Sequence, residues 1–346
     1  MAVMMRSSLF LMVTVCLLNT TTVTAQSTST ALDTNQLYNL ALQGRVDKAI
    51  NFIQTTVPSD SASAKVANKF KARFLDAAPY VLTKDPQLAE LLAIYVVYWR
   101  NTLLKPDAAK QYEAELIRSI NGFLDKVGAP DSDKQFNLRM QTYLASKGYR
   151  SAVGQTAGIW DFLVWKTERE VNYKLELPEG ISDTKIVFLE DVLSMGWEEY
   201  ATFGKYYPGG WAAPDRLYCV GKAYDLKSEN FEVSYLKHEG QHFLDYKLFP
   251  GMQSADLEYR AKLVELIYSK TTTARLLLSF QRRGANNPRN SHAFASYKVI
   301  EGYNQVDEGV LKASSMNTEK VKEVAMRLLR MDSERRKGDK GYSILK

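Results

Sequence analysis

The pentapeptide His238-Glu239-Gly240-Gln241-His242 constrains the fold of this chain more than any other feature, because it matches the pattern H-E-x-x-H. Two histidines four residues apart share one face in a helix, and both imidazoles can then bind one metal ion. Glu239 would lie beside such an ion, where its carboxylate can take a proton from water. Two of the three histidines in the chain belong to this motif. The alternative is a pair of surface histidines on an ordinary amphipathic helix.

The first 25 residues have the layout of a secretory signal peptide. One positive charge at Arg6 precedes an apolar stretch from Leu9 to Leu18, and the small residue Ala25 precedes the predicted cleavage site. The apolar stretch is too short to span a bilayer comfortably. The sequence therefore predicts an exported protein, periplasmic or secreted, with no stable membrane insertion after cleavage. Residues 26–32 are rich in serine and threonine and are expected to form a flexible lead-in.

Cleavage after residue 25 would leave Cys219 as the only cysteine. No internal disulfide could then form, so stability must come from the core and from any bound metal. The formal net charge of the whole chain is +6, and its basic residues are spread along the sequence without an arginine-aromatic stripe. This distribution argues against nucleic acid as a partner. The oligomeric state is left open.

Hydrophobic periodicity predicts a mainly α protein with a small β-sheet, which is the α+β class. A first domain is expected over residues 33–150, as a bundle of helices. The predicted helices cover 35–55, 64–76, 86–104, 109–127 and 133–146, and proline- or glycine-containing breaks separate them. The start of this domain resembles one tetratricopeptide unit without a clear second copy, so a repeat array stays open beside a plain bundle.

Residues 151–346 are expected to form a second domain, in which β-type segments precede helices. Strands are predicted at 173–177, 185–189, 216–220 and 223–226. Ser228 is the predicted N-cap of a helix over about 229–247 that carries the H-E-x-x-H motif. Gly240 in the middle of that helix costs about 1 kcal/mol against alanine. The close approach of another backbone would offset this cost.

A catalytic zinc site takes three protein ligands and keeps a fourth position for water, so the motif alone lacks one ligand. The extended metzincin pattern requires a third histidine at position 248, where this chain has Leu248. The segment with Glu258 and Ala261 instead resembles the gluzincin-type zinc metallopeptidases, whose third ligand is a glutamate three residues before a small residue. The resemblance covers roughly residues 160–300. It implies Glu258 as the third ligand of one Zn²⁺ ion per chain.

Three residues around Glu258 leave the ligand set open. Glu265 is the chief alternative ligand because it lies roughly on the same helix face, and Asp245 is a weaker alternative. Most helix carboxylates of this kind are simply solvated. Many gluzincins also carry an aspartate directly after the small residue, where it orients a histidine ligand, but this chain has Lys262 there. The groups that support the predicted ligands are therefore an open question.

The resemblance implies that residues 151–346 adopt a zincin-like fold and hydrolyse peptide bonds of a peptide or protein substrate. Zinc would activate a water molecule, and Glu239 would be the general base. The oxyanion of the reaction needs a donor besides the metal. His292 is expected to fill this role, with Tyr297 and Tyr303 as alternatives.

Two other functions stay open. The chain could be a non-catalytic binding or scaffold protein, whose helical domain is the working part and whose zinc site is structural or degenerate. It could also be a zinc hydrolase of a non-peptide substrate, because the same water activation serves other electrophiles. In the metallopeptidase interpretation, a strand at 216–220 or 223–226 is expected to pair with extended substrate backbone.

Overall fold

The structure is a computed structural model that describes residues 12–13, 32–56, 58, 60–130, 135–213, 215–288, 290–312 and 317–345. The predicted signal peptide (residues 1–25) lies outside the described residues except for Met12 and Val13, and so does the predicted lead-in up to residue 31. The described chain is mainly helical and has small sheets, which confirms the α+β class. None of its described helices combines the length and the apolar character that crossing a bilayer requires.

The described strands are mostly short, and all but the first fall in the middle of the chain. They are β1 (Met12–Val13), β2 (Arg150–Thr156), β3 (Ile159–Trp165), β4 (Thr167–Leu177), β5 (Gly180–Glu190), β6 (Ser194–Met195), β7 (Gly210–Ala213) and β8 (Arg216–Val220). The predicted strands at 173–177, 185–189 and 216–220 lie within β4, β5 and β8. The strand predicted at 223–226 is wrong, because a 3-10 turn at Gly221–Ala223 ends the extended segment.

Helices make up most of the described chain before β2 and after β8. They are α1 (Thr34–Leu42), α2 (Val46–Thr55), α3 (Ser61–Phe70), α4 (Pro86–Leu104), α5 (Ala109–Lys126), α6 (Phe136–Ser146), α7 (Trp197–Thr202), α8 (Glu229–Phe231), α9 (His238–Leu248), α10 (Ser254–Tyr268), α11 (Thr273–Arg283), α12 (Ser291–Lys312, kinked at Asp307) and α13 (Thr318–Gly338). π-Helical turns over Lys71–Leu75 and Glu232–Lys237 continue α3 and α8, and a 3-10 turn over Pro106–Ala108 precedes α5.

Local sequence signals explain several of these helix ends. Helix α4 begins where predicted, because the Asp85 side chain accepts hydrogen bonds from the first-turn N–H groups and Pro86 occupies the first helical position. The helical run predicted over 35–55, which resembles a tetratricopeptide helix-turn-helix unit, consists of the two helices α1 and α2. Gly44 lies between them with a φ of +70°, a left-handed conformation that glycine adopts without strain.

The described chain divides into two compact units. The first comprises residues 1–169 and 189–211, and the second comprises residues 170–188 and 212–346. The first unit therefore includes the β2–β3 hairpin and α7, which the predicted boundary near residue 150 assigned to the second domain. Trp99 on α4 accounts for part of this grouping, because its indole N–H donates a hydrogen bond to the carbonyl oxygen of Trp160 on β3.

The second unit combines a sheet with the helices from α8 to α13. Its strands follow the order β7-β8-β5-β4, so β4 is at an edge of the described sheet and β8 has a neighbour on each side. A turn at Pro178–Glu179 joins β4 to β5. Helix α10 lies at the centre of the helical part, where it packs against α9, α12 and α13. All but three of its residues are buried, which suits an element surrounded by neighbours.

Candidate metal centre

The H-E-x-x-H motif lies on a helix that begins and ends close to where the sequence predicts. Ser228 caps the segment, since its hydroxyl oxygen accepts a hydrogen bond from the N–H of Phe231 at 3.2 Å. The helix then passes through the π-helical turn of Glu232–Lys237 and continues as α9 to Leu248. π-Helical turns are rare in proteins and occur often at functional sites.

Gly240 makes room for a side chain of the sheet. A Cβ atom at this position would lie 2.5 Å from Cδ1 of Leu175, which belongs to β4. The predicted close approach at Gly240 is therefore confirmed. The prediction that another backbone makes this approach was wrong, because the contacting group is the side chain of Leu175. This contact brings the edge strand β4 against the face of α9 that holds Gly240.

Three side chains of α9 and α10 meet in one buried cluster. Potential ligand atoms of His238, His242 and Glu258 all lie within 4.8 Å of one another. Nε2 of His238 is 3.5 Å from Oε2 of Glu258, and Nε2 of His242 is 3.5 Å from Oε1. These separations are longer than hydrogen bonds. Ligands about 2.1 Å from a tetrahedral zinc ion are about 3.4 Å apart, so the spacing fits a shared metal ion.

Several buried polar atoms of this cluster lack hydrogen-bond partners among the described residues. They are Nε2 of His238, both ring nitrogens of His242, both carboxylate oxygens of Glu239, and Oε1 of Glu258. Each of these four residues is at most 4% exposed. Burying polar groups without partners is costly, and charged groups cost most. A cation bound between them would remove this cost, so the donor set fits a metal ion.

The balance of charge around the cluster also favours a divalent cation. The carboxylates of Glu239, Glu258 and Glu265 are buried there, and the ammonium group of Lys262 is the buried cation beside them. Metal binding requires neutral histidines, and in that state three negative charges face one positive charge. A divalent ion would neutralise this excess, which the low-polarity interior otherwise disfavours.

Glu265 contacts a potential ligand, His238, and is not itself one of the three potential ligands. Its Oε1 lies 2.7 Å from Nδ1 of His238, whereas Nε2 of the same ring faces Glu258. A carboxylate at the second ring nitrogen fixes the tautomer and orientation of a metal-binding histidine. Glu265 was predicted as the alternative ligand. Its carboxylate instead lies where it can orient His238, a role that the resemblance implied for an aspartate at position 262.

Asp245 lies one turn beyond His242, and its carboxylate accepts hydrogen bonds from Gln241 and Arg260. Oδ1 is the acceptor of both, at 2.8 Å from Gln241 and 2.9 Å from Arg260. Asp245 therefore connects α9 to α10 and is not one of the three potential ligands.

His292 reaches the cluster from the N-terminal end of α12. Its Nδ1 lies 2.8 Å from Oε2 of Glu258, and its side chain is 41% exposed. Nζ of Lys262 approaches the same oxygen at 3.9 Å and also lies over the ring of Phe280. Because two cationic or polar groups face Oε2, the geometry leaves Oε1 of Glu258 as the freer oxygen for a metal ion.

The two tyrosines predicted as alternatives to His292 form hydrogen bonds elsewhere. The hydroxyl of Tyr297 donates to Glu301 at 3.1 Å, one turn further along α12. The hydroxyl of Tyr303 is buried and donates to the carbonyl oxygen of Val321 at 2.6 Å. Of the three candidates, His292 is the one that the structure places against the Glu258 carboxylate.

The protonation equilibria of the cluster follow from its burial and its charges. Burial raises the pKa of Glu239 above its ordinary value, although the two motif histidines partly oppose this effect. Burial would also raise the pKa of Glu258, but His292 and the motif histidines hold it well below the usual range. Burial would lower the pKa of His238, yet the carboxylates of Glu258 and Glu265 raise it to about 10.

The sequence did not reveal the supporting role of Glu265 or the partner of Asp245. The spacing of Glu258 and Glu265 on one helix face indicated only that both could approach the same neighbour. Which carboxylate meets Nε2 and which meets Nδ1 of His238 depends on how α10 packs against α9.

No protein-family model, curated protein or solved structure matches the chain.

Proposed function

We propose that the second unit is a zincin-like, zinc-dependent metallopeptidase of the gluzincin type. One observation carries this proposal: three potential ligands converge beside a buried carboxylate, that of Glu239, which has no hydrogen-bond partner among the described residues. A structural zinc site normally has four protein ligands, whereas a catalytic site has three and an open position. A structural site would also give Glu239 no reason to be buried without a partner.

The residues that hold the ion would be His238, His242 and Glu258. A bound zinc ion supplies Lewis acidity, which makes a water molecule more acidic and polarises the substrate carbonyl. Glu239 accepts the proton of the attacking water and passes it to the leaving amine, and its raised pKa suits a group that takes up and releases a proton. His292 is half exposed beside Glu258 and provides a polar group for the developing oxyanion.

The edge strand β4 is the surface that best fits an extended peptide. The sequence placed the substrate strand at 216–220 or 223–226, but β8 lies inside the described sheet order and residues 223–226 do not form a strand. An edge strand offers unpaired N–H and C=O groups, to which a substrate backbone can add as a further strand. Leu175 of β4 contacts Gly240 beside the motif, so a peptide paired with β4 would pass close to the metal ligands.

We also propose that the protein is exported and that its first 25 residues are removed.

Zinc content and hydrolysis of casein test the proposed peptidase activity. Wild-type protein should contain one zinc ion per chain and should cleave casein, and removal of zinc by a chelator should abolish cleavage. The variant Glu239→Gln should retain zinc but lose activity. Glu232→Gln, which alters an exposed glutamate in the preceding helical turn, is the matched control and should behave like wild type.

Other results of the same experiment would support the two alternative functions, a non-catalytic binding protein or a zinc hydrolase of a non-peptide substrate. One zinc ion per chain without turnover of casein or of a panel of ester and amide substrates would indicate the non-catalytic binding protein. Turnover of a non-peptide substrate alone would indicate the other hydrolase. Full casein cleavage by Glu239→Gln would refute the assignment of the general base.

A further inference from the structure

Tyr246 is a half-exposed tyrosine on α9, one helical turn beyond His242. Its side chain is 49% exposed, although it is large and apolar apart from its hydroxyl. Its hydroxyl forms no hydrogen bond with any residue in the described ranges. The buried hydroxyls of Tyr235 and Tyr303 in this unit donate to backbone carbonyl oxygens. The hydroxyl of Tyr246 is therefore free to bind a ligand.

The position of Tyr246 on the helix directs it towards the metal cluster. Successive residues of an α-helix are rotated by about 100°, so Tyr246 is about 40° from His242 and about 20° from Glu239 around the helix axis. Tyr246 thus shares the face of α9 that carries the general base and the second histidine. Side chains on a helix lean towards its N-terminus and cover the preceding turn. From this lean we infer that the tyrosine ring extends back towards the turn that contains His242.

Electrostatic effects agree with this placement. After partial burial, the charges of Glu239 and Glu258 are the largest influences on the Tyr246 hydroxyl, and together they raise its pKa above the ordinary value of 10.0. Both carboxylates belong to the candidate metal centre, so the hydroxyl lies within their electrostatic range. The raised pKa also keeps the phenol protonated at neutral pH, when it can donate a hydrogen bond.

Exposure determines where a substrate can approach the centre. His238, His242, Glu239 and Glu258 are each at most 4% exposed, so none of them offers a wide surface to solvent. The side chains of His292 and Tyr246 are 41% and 49% exposed. A peptide that reaches the metal from solvent would therefore pass groups on α12 and on the C-terminal half of α9.

We propose that Tyr246 is a substrate-binding catalytic residue, whose hydroxyl donates a hydrogen bond to the carbonyl oxygen of the peptide bond that is cleaved. This inference rests on the proposed metallopeptidase function and assigns a second donor beside His292. The oxygen gains negative charge as water attacks, so a fixed donor binds it more strongly in the transition state than in the ground state.

The variants Tyr246→Phe and Tyr268→Phe test this role. Both remove one hydroxyl from a partly exposed tyrosine of the second unit. The ring of Tyr268, at the end of α10, lies 4.0 Å from Nζ of Lys237, a contact that loss of the hydroxyl leaves in place. Zinc content is measured for each, followed by kcat and KM on a casein-derived fluorogenic peptide. Tyr246→Phe should keep one zinc ion per chain and lose kcat by about 100-fold, which is typical of removing one oxyanion donor. Tyr268→Phe should match wild type. Wild-type kcat in Tyr246→Phe would overturn the proposal.

A binding measurement separates failure of this inference from failure of the proposed function. Zinc-loaded wild type and both variants are titrated with a phosphinic dipeptide, whose tetrahedral phosphinate mimics the transition state. The Tyr246→Phe variant should bind it at least about 10-fold more weakly than wild type, and Tyr268→Phe should not. Such weakening without any peptidase activity would uphold Tyr246 as a ligand-binding residue and refute the metallopeptidase. Equal binding by Tyr246→Phe, or no binding by wild type, would overturn the role of Tyr246.

Discussion

The carboxylate of Glu265 lies 2.7 Å from Nδ1 of His238, across the imidazole ring from the Nε2 atom that faces Glu258. This arrangement holds the ring so that Nε2 points into the cluster of potential ligands. Lys262 cannot perform this task because a lysine carries no hydrogen-bond acceptor. The chain therefore uses a glutamate one turn further along α10 to orient the first histidine of the motif.

The variant Glu265→Gln should weaken zinc binding by about 10- to 100-fold, because the amide orients His238 less strongly than the carboxylate does. Glu258→Ala should weaken it far more, because it removes a proposed ligand. Competition with a chromogenic chelator measures both affinities, with Glu232→Gln as the control. Wild-type affinity in Glu265→Gln, or a larger loss there than in Glu258→Ala, would show that the two glutamates have been assigned the wrong roles.

Arg260 joins the two helices that carry the potential ligands. It is fully buried on α10, where its guanidinium contacts Asp245 of α9, Asp332 of α13, and Glu179 of the turn between β4 and β5. Each contact to α9 and α13 is a charge-assisted hydrogen bond of 2.8–2.9 Å. This network sets the distance between α9 and α10, and so the distance from His242 to Glu258.

Replacing Arg260 by methionine should lower the free energy of unfolding by about 3–5 kcal/mol, since it leaves buried carboxylates without their cation. Lys337→Met is the control, because Lys337 pairs with Glu334 on the exposed surface of α13 and should contribute about 1 kcal/mol or less. Urea unfolding of both variants measures the difference. Similar losses in the two variants would contradict a special role for the Arg260 network.

Alanine at Gly240 should destabilise the second unit even though alanine favours helices. The added methyl group would press on Leu175, and overpacking of this kind costs about 1–3 kcal/mol. Gly122 in the middle of α5 is the matched control, because no atom lies within 4 Å of its added Cβ. Gly122→Ala should therefore stabilise its helix by about 1 kcal/mol. Thermal unfolding that shows stabilisation by Gly240→Ala would contradict the close contact with β4.

The first unit should lose stability as the pH rises, because it buries two carboxyl groups. Burial raises the pKa of Asp161 from 3.8 to about 7 and that of Glu198 from 4.5 to about 8. Both groups hold their protons more tightly in the folded chain than in the unfolded chain. Their stabilising effect is therefore complete below about pH 4 and is lost as the pH rises through about 7 to 8.

The variants Asp161→Asn and Glu198→Gln should each flatten this dependence, because neutral amides do not titrate. A pKa difference of one unit corresponds to about 1.4 kcal/mol, so the wild-type change should amount to several kcal/mol. Urea unfolding of the wild type, both variants and the exposed-site control Asp76→Asn, at pH 5, 7 and 9, measures it. The same pH dependence in all four proteins would rule out the two buried carboxyls as its cause.

Much of the secondary structure was predictable from local patterns. Helix α4 was predicted from its apolar spacing and its Asp85-Pro86 start, and the predicted motif helix ends within one residue of Leu248. The β2–β3 hairpin was missed, although its turn contains Gly158. Its strands are rich in aromatic and apolar residues that pack on the helices of the first unit, and periodicity alone does not separate such strands from buried helix.

The relative positions of residues in the candidate metal centre were predictable where they depend on spacing along one helix. They were less predictable where they depend on packing between helices. His238 and His242 share a face because of helix geometry. The placement of Glu258 near them came from the family resemblance. The positions of Glu265, Arg260 and Tyr246 relative to the cluster depend on how α9 meets α10, which a single sequence does not specify.

X-ray absorption at the zinc edge of the purified, zinc-loaded protein tests the proposed metal centre most directly. We expect one zinc ion per chain with two imidazole nitrogens and one carboxylate oxygen at about 2.0–2.2 Å, together with one further light ligand. Glu258→Ala should lose the carboxylate contribution and keep both imidazoles. A protein that takes up no zinc, or a spectrum without two imidazoles, would contradict a metal centre at His238, His242 and Glu258.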